Sequence, residues 1–215
     1  MTYSNHIAAL NELSASEGVF TTAQAARLGI TRNALSQAVA SGRAERIAHG
    51  AYRLAGSQSD FTDELAALWK LTNPAAFTHE RMQTDAWDGI AIGGSTAASL
   101  QNLGDFYLSP YRIYAPRRIN SRAESASFAV RRVDLDDVNW IKGLPVTRPE
   151  RTLVDLCLDN EEWSLVEDAF NSADNLDYDR LVKIIAGQPE SKSVQESLSE
   201  IRGLIERHPD KERVG

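Results

Sequence analysis

The stretch TTAQAARLGITRNALSQAVASGRAERIAHGAYRL, residues 21–54, constrains the fold of this chain more than any other segment. Thr22 can cap a helix over residues 23–28, because a threonine hydroxyl accepts a backbone N–H that the first helical turn leaves unpaired. Gly29 supplies a left-handed residue that ends this helix, and Thr31 can cap a second one that Gly42 stops near Ser41. Ile47, Tyr52 and Leu54 then fall on one face of a hairpin whose turn is His49-Gly50. Upstream, Ile7, Ala8, Leu10 and Leu13 have helical spacing that ends near Gly18. Three helices followed by a small hairpin predict a winged helix-turn-helix over residues 1–56. GSQS at 56–59 reads as the linker that closes it.

On a wheel of about 100° per residue, Leu35, Ala38 and Val39 face the core, while Asn33, Ser36, Gln37 and Ala40 fall opposite, with Arg32 in the exposed first turn. Such a face suits the major groove. Arginine pairs with guanine edges, asparagine and glutamine pair with adenine, and small serine and alanine side chains permit close approach. Arg46, His49 and Arg53 on the hairpin are placed for phosphates or the minor groove. The other reading of the same face is a solvated amphipathic helix used for protein contact. The charge balance bears on both. The chain is net −7, yet residues 1–56 hold five arginines against three glutamates, whereas residues 152–215 hold seven bases against fifteen acids. A modest +2 on the first domain predicts that affinity for DNA needs two copies, as a homodimer or as cooperative monomers on an inverted repeat.

Beyond the linker, Leu65, Leu68 and Trp69 recur at helical spacing up to a stop at Asn73-Pro74. GIAIGG at 89–94 reads as a short strand and turn, and Ser95 can cap a helix through Leu100. YRIYA, SFAVRRV and VNWIKGLPV, between residues 111 and 146, cluster β-favouring residues between turn signals. Thr147 with Glu150 three positions on is a capping-box pattern opening a helix through Leu158. The last helix is expected over residues 193–207, with Val194, Leu198, Ile201 and Ile205 on one stripe. The fold class is therefore α+β, a winged helix-turn-helix at 1–56 followed by a mixed α/β domain at 57–215 whose end is helical.

The second domain offers little enzyme chemistry. GGSTAAS at 93–99 could cradle a phosphate, but no lysine follows as a P-loop requires, and a helix cap is the simpler reading. G-x-S-x-G is absent, and the histidines at 6, 49, 79 and 208 are scattered, so no nucleophile elbow, metal or cofactor is expected. DLDD at 134–137 reads as a charged turn between strands. Arg117, Arg118, Arg122, Arg131 and Arg132 form a basic island that is either a solvated edge or a second surface for an anionic partner. Cys157, the one cysteine, lies in the apolar run LVDLCL and is expected to be buried. Neither a secretion signal nor an apolar run of roughly 20 residues is found, which predicts a cytoplasmic protein without membrane contact.

The order of these pieces resembles the AbiEi family of antitoxins, transcriptional regulators of type IV toxin–antitoxin modules. The pieces are FTTAQAARLGITRNALSQAVASGRAERIAHGAYRL, GGSTAASLQNLGD, IYAPRRINSR and RRVDLDDVNWIKGLPVTRPERTLVDL, covering roughly residues 5–160 in consistent order. The resemblance implies a winged helix that binds inverted repeats upstream of its own operon, and a C-terminal domain that neutralises a nucleotidyltransferase-like toxin, directly or functionally. DNA-contact roles carry over to Arg32, Asn33, Ser36, Gln37, Arg46, His49 and Arg53. Gln101-Asn102 stand where the family often has His-Gly, so no role is carried to that position. No catalytic role is implied. The alternative is a stand-alone winged-helix transcription factor whose second domain senses a ligand or oligomerises.

Overall fold

The structure, a computed structural model, describes residues 3–121 and 123–207, with side chains from residue 7 onward. The chain divides into two compact units, Met1–Asp88 and Gly89–Gly215.

In the first unit, α1 (Tyr3–Glu17) leads into β1 (Phe20–Thr21), α2 (Thr22–Arg27), α3 (Arg32–Ala40), β2 (Ala44–Ala48) and β3 (Ala51–Leu54). This is the element order of a winged helix-turn-helix. The strands form an antiparallel sheet in the order β1-β3-β2. Leu10, Leu13, Phe20, Ile30 and Leu35 close the core between the helices and the sheet. Thr31 caps α3 by accepting the Ala34 N–H at 3.2 Å, and Gly29 is left-handed at φ 78°. The cap of α2 is Thr21 rather than Thr22. Its hydroxyl accepts the Gln24 N–H while the Gln24 side chain accepts the Thr21 N–H at 2.8 Å, a reciprocal pair that Thr22 cannot form. Ile47 also departs from expectation. A register shift between Arg46 and Ala48 turns it away from Tyr52 and Leu54, into a second apolar cluster with Val19, Ala51 and Ala67.

That second cluster is why the unit does not end at residue 56. α4 (Asp63–Thr72) lays Ala67 against the hairpin, and α5 (Thr78–Arg81) follows it. Glu17, at the end of α1, forms a buried ion pair with Lys70 of α4 and accepts the Thr78 hydroxyl at 2.7 Å and the Gln24 side-chain N–H at 3.2 Å. Arg27 grips Glu80 with two hydrogen bonds of 2.6 and 2.7 Å and donates to the Ala75 carbonyl at 2.8 Å. Residues 57–88 therefore belong with the winged helix. The linker expected at 56–59 is a turn inside one unit, because buried charge ties both sides of it together.

The second unit holds β4 (Ala91–Ile92), α6 (Gly94–Gln101), β5 (Tyr111–Ala115), β6 (Ala126–Val130), β7 (Val138–Ile141), β8 (Leu144–Thr147), α7 (Pro149–Leu158), α8 (Trp163–Ser172), α9 (Tyr178–Ala186) and α10 (Lys192–Arg207). Its mixed sheet runs β6-β5-β4-β8-β7, with β4 antiparallel to β5 but parallel to β8, and β6 parallel to β5. The expected stripe on α10 joins Leu153, Leu156 and Phe170 in the helical core. Two expected caps fail. Gly93, not Ser95, is the residue before α6, and Arg148 precedes α7, whose first residue is Pro149. Thr147 remains in β8 with its hydroxyl 2.7 Å from that of Thr152, and Glu150 accepts the Asp177 N–H at 2.9 Å. Both capping-box partners are taken by tertiary bonds.

Removing one partner of a buried ion pair leaves an uncompensated charge, which costs about 3–5 kcal/mol. Glu17→Gln is therefore expected to destabilise the first unit strongly in urea unfolding of the full chain. Limited proteolysis is expected to cut within residues 57–88 of this variant before cutting the wild type there. Glu17→Gln with Lys70→Met should recover most of the loss.

Candidate functional site

The outer face of α3 is built by its inner one. Leu35 and Ala38 are buried, which fixes the rotation of the helix and leaves Arg32, Asn33, Ser36 and Gln37 exposed on the opposite side. None of these four side chains bonds to another described residue. Gln37 and Ala38 use only their carbonyls, each accepting the Ser41 hydroxyl, at 2.8 and 3.2 Å. A hydrogen-bonding face that the fold does not consume is available to a partner.

The hairpin contributes a second group. Arg46 is exposed on β2 and its guanidinium lies 2.6 Å from Nδ1 of His49 at the turn. A guanidinium can only donate, so Nδ1 accepts and His49 carries its proton on Nε2, pointing a second donor outward. Arg32, Arg46 and His49 stand around a concavity of about 720 Å³ whose wall includes Thr22, Ile30 and Tyr52. The concavity is apolar at its floor and cationic at its rim.

Arg53 is a correction. Although it was expected to face a partner with Arg46 and His49, it is only 8% exposed. Its guanidinium donates to Glu45 on the neighbouring strand and to Asp63 of α4, the latter at 2.9 Å, and these two carboxylates hold its pKa above the usual value. Its positive charge is spent inside the unit. The strand alternation that puts Arg53 beside Arg46 in sequence terms gives no sign of Asp63, which arrives from ten residues downstream.

The basic island of the second unit is likewise divided. Arg117, Arg118 and Arg132 are exposed, and Arg122 lies outside the described residues. Arg131 is turned onto the sheet. It donates to Asp155, to Asp159 and to the Tyr114 hydroxyl, each at 2.9 Å, and so leaves the expected surface. Arg112 joins Asp159 at 2.9 Å, and Arg151 holds Asp155 with contacts of 3.0 Å. The result is a buried charge network that fastens β5 and β6 to α7. Burial pushes the Asp155 carboxyl up to about 6 against the pull of Arg151 and Arg131, and pushes the Tyr114 hydroxyl well above its ordinary value. The sequence carried a signal for it, since Arg151, Asp155 and Asp159 recur every four residues along α7 and its C-terminal cap, among the apolar residues Leu153, Val154, Leu156 and Leu158.

This network also explains GGSTAAS. A Cβ on Gly93 would lie 1.8 Å from the Tyr114 ring, so the position must be glycine for the tyrosine to reach Asp159. The Asp159 carboxylate comes to within 3.0 Å of the same point on Gly94, bringing negative charge to the start of α6, where a bound anion would otherwise sit. In DLDD, Asp137 accepts from Arg180 at 3.0 Å and lies 3.6 Å from Arg151, so the turn is anchored by arginines. Cys157 is buried and burial raises its thiol to about 12. Among the described residues no cluster of three or more histidine, cysteine, aspartate or glutamate side chains could hold a metal, and no helix is long and apolar enough to cross a membrane.

With α3 and the hairpin in view, the comparison with known families bears directly on them. Residues 8–55 match the AbiEi antitoxin family of transcriptional regulators. The matched segment covers α1 from its second turn, the capping box, α3 and the whole hairpin. Its fold extends further. The crystal structure of the RV2827C protein from Mycobacterium tuberculosis matches with a TM-score of 0.57 at 17% identity, covering 94% of this chain and 77% of that one. At that identity the two chains share a fold. No curated protein sequence matches this chain.

Because Tyr114 is buried on all sides, Gly93→Ala cannot be accommodated by a small shift. It is expected to destabilise the chain by about 3 kcal/mol or more. Gly143→Ala, which meets open space at φ 75°, should cost only about 1 kcal/mol in the same thermal unfolding experiment. Cys157 should resist alkylation at neutral pH in the folded chain and react at the rate of a free thiol once the chain is unfolded. Fast modification of native protein would contradict its burial.

Proposed function

We propose that this chain is the non-enzymatic antitoxin of a type IV toxin–antitoxin module and that it represses its own operon. In this reading the first unit binds inverted-repeat operator DNA with α3 in the major groove. Arg32, Asn33, Ser36 and Gln37 read base edges, and Arg46 with His49 meets the backbone beside them. The observation that carries the proposal is the coincidence of the AbiEi match over residues 8–55 with the one face of α3 whose polar side chains bond to no other described residue. The concavity between α3 and the hairpin supports the same reading, since its cationic rim suits a phosphate and its apolar floor suits a sugar edge or thymine methyl. The second unit opposes a nucleotidyltransferase-like toxin. Support for this part is the role of the matched family alone, and a neighbouring gene for a nucleotidyltransferase-like protein is its expected genomic context.

A direct-readout role for α3 has distinct thermodynamic marks. Losing a bidentate base contact costs about 1–3 kcal/mol and relaxes specificity at one position, whereas losing a phosphate contact weakens binding across sequences and lowers the salt slope by about 1. Arg32→Ala is expected to show the first behaviour and Arg46→Ala the second, in titrations of operator DNA at several salt concentrations. Arg53→Ala should instead lower stability while leaving the salt slope unchanged. Full sequence-specific binding by an Arg32→Ala, Gln37→Ala double variant would remove α3 from the reading role. Co-expression of that double variant with the toxin separates the two activities, because rescue of growth is expected to persist when operator binding is gone.

A further inference from the structure

The outer edge of β6 is an open strand edge among the described residues. β6 ends the five-stranded sheet, and no described strand pairs with its far side. Its inner side is fixed by two bonds that frame the strand, Tyr111 N–H to the Ser125 carbonyl at 2.7 Å and Arg131 N–H to the Ala115 carbonyl at 2.9 Å. With the parallel register of Phe128 beside Ile113, these bonds turn the backbone groups of residues 125, 127, 129 and 131 toward β5. The N–H and C=O groups of Ala126, Phe128 and Val130 therefore point outward. Those of Phe128 and Val130 meet no described residue, and the Ala126 N–H has only a long turn bond of 3.4 Å to the Ala123 carbonyl.

Exposed edges are ordinarily blunted by proline, by a bulge or by charge. β6, with the sequence ASFAV, carries none of these, and Val130 is 65% exposed. Charge appears only just beyond the ends, as Glu124 on one side and Arg132 on the other, both exposed. Arg132 reaches Asp134 at 3.2 Å across open solvent, a pair with little hold on it.

We infer that β6 pairs antiparallel with β6 of a second copy, about a two-fold axis at Phe128, joining two five-stranded sheets into one. A two-fold interface must be self-complementary, and this register is. It sets Phe128 against Phe128 and Ala126 against Val130, and brings Glu124, in the turn that leads into the strand, to the end where Arg132 of the other copy leaves it. Every outward backbone group then meets an outward group of opposite kind, with the Ala126 N–H exchanging its long turn bond for a ladder bond. The side chains of 126, 128 and 130 share the face that holds Tyr111, Ile113 and Ala115, so that apolar row continues across the axis and covers Val130. Sliding the register by two residues leaves an outward residue of each strand without an outward partner and separates Glu124 from Arg132. The inference supplies the two copies that the inverted-repeat reading asks for, but its geometry lies wholly in the second unit and needs no DNA.

Sedimentation of the full chain without DNA tests it. The wild type is expected to be a dimer in reversible equilibrium with monomer. Glu124→Arg and Arg132→Glu each place like charges opposite one another twice per dimer, and each should weaken association by about tenfold. The double swap restores opposite charges and should recover dimerisation. Phe128→Cys should form an intermolecular disulfide on mild oxidation, since paired residues on the axis lie about 5.5 Å apart at Cα, within disulfide reach. A wild-type chain that stays monomeric at all concentrations overturns the proposal. So does a dimer indifferent to the single swaps, or one that the double swap fails to recover. Operator binding is measured separately, so loss of DNA binding by a dimer would refute only the DNA reading.

Discussion

The Glu17 carboxylate has been taken out of water, and much of the first unit is arranged around keeping it satisfied. An ionised carboxylate in that position is tolerable only with a cation and further donors. Lys70 supplies the charge, while Thr78 and Gln24 supply the hydrogen bonds. Glu17 ends the first helix, and its partners come from the helix before the turn and from a segment more than fifty residues away, so one cluster commits α1, α2, α4 and α5 to the same body. The burial of Lys70, which lowers its pKa despite the Glu17 charge, is the other half of that commitment. With α4 held against the hairpin, Arg53 is trapped beside Asp63, which leaves Arg46 as the arginine of the hairpin strands that faces outward, beside the His49 imidazole.

Several of the arginines are spent internally. In the second unit the arginines at 112, 131 and 151 meet the carboxylates at 155 and 159, and β5, β6 and α7 are joined through them. The network sets demands on its surroundings, of which Gly93 is the clearest, since any side chain there would occupy the space of the Tyr114 ring. The same network orders β6 from its inner side, which is what leaves the outer side regular and unblunted.

The helix–turn–helix and hairpin were legible in the sequence because their determinants are local. Thr31 caps, Gly29 and Gly50 provide left-handed backbone, and the spacing of Leu35 and Ala38 sets which face of α3 is buried. The exposure of Arg32, Asn33, Ser36 and Gln37 follows from that spacing alone. The strands at 111–115, 126–130 and 138–147 were legible too, because β-branched and aromatic residues cluster between turn signals. Expectations failed where a residue had two uses. Thr147 and Glu150 have the pattern of a capping box, but each is drawn to a partner distant in sequence or in another element. The helix at 63–72 was visible, yet the unit it belongs to was not.

What the sequence by itself determined is the order of elements, the rotation of α3 and the burial of Cys157, since each depends on the period of apolar residues within one segment. Only the tertiary structure decided which charges remain available. Whether an arginine faces solvent or a carboxylate depends on the segment that packs beside it, and that neighbour is chosen by burial across the whole unit rather than by spacing along the chain. Arg46 and Arg53 lie on adjacent strands of the same hairpin. One reaches outward and the other is consumed, because Asp63 arrives on a helix that the Glu17–Lys70 pair and the apolar cluster around Ala67 hold against the hairpin.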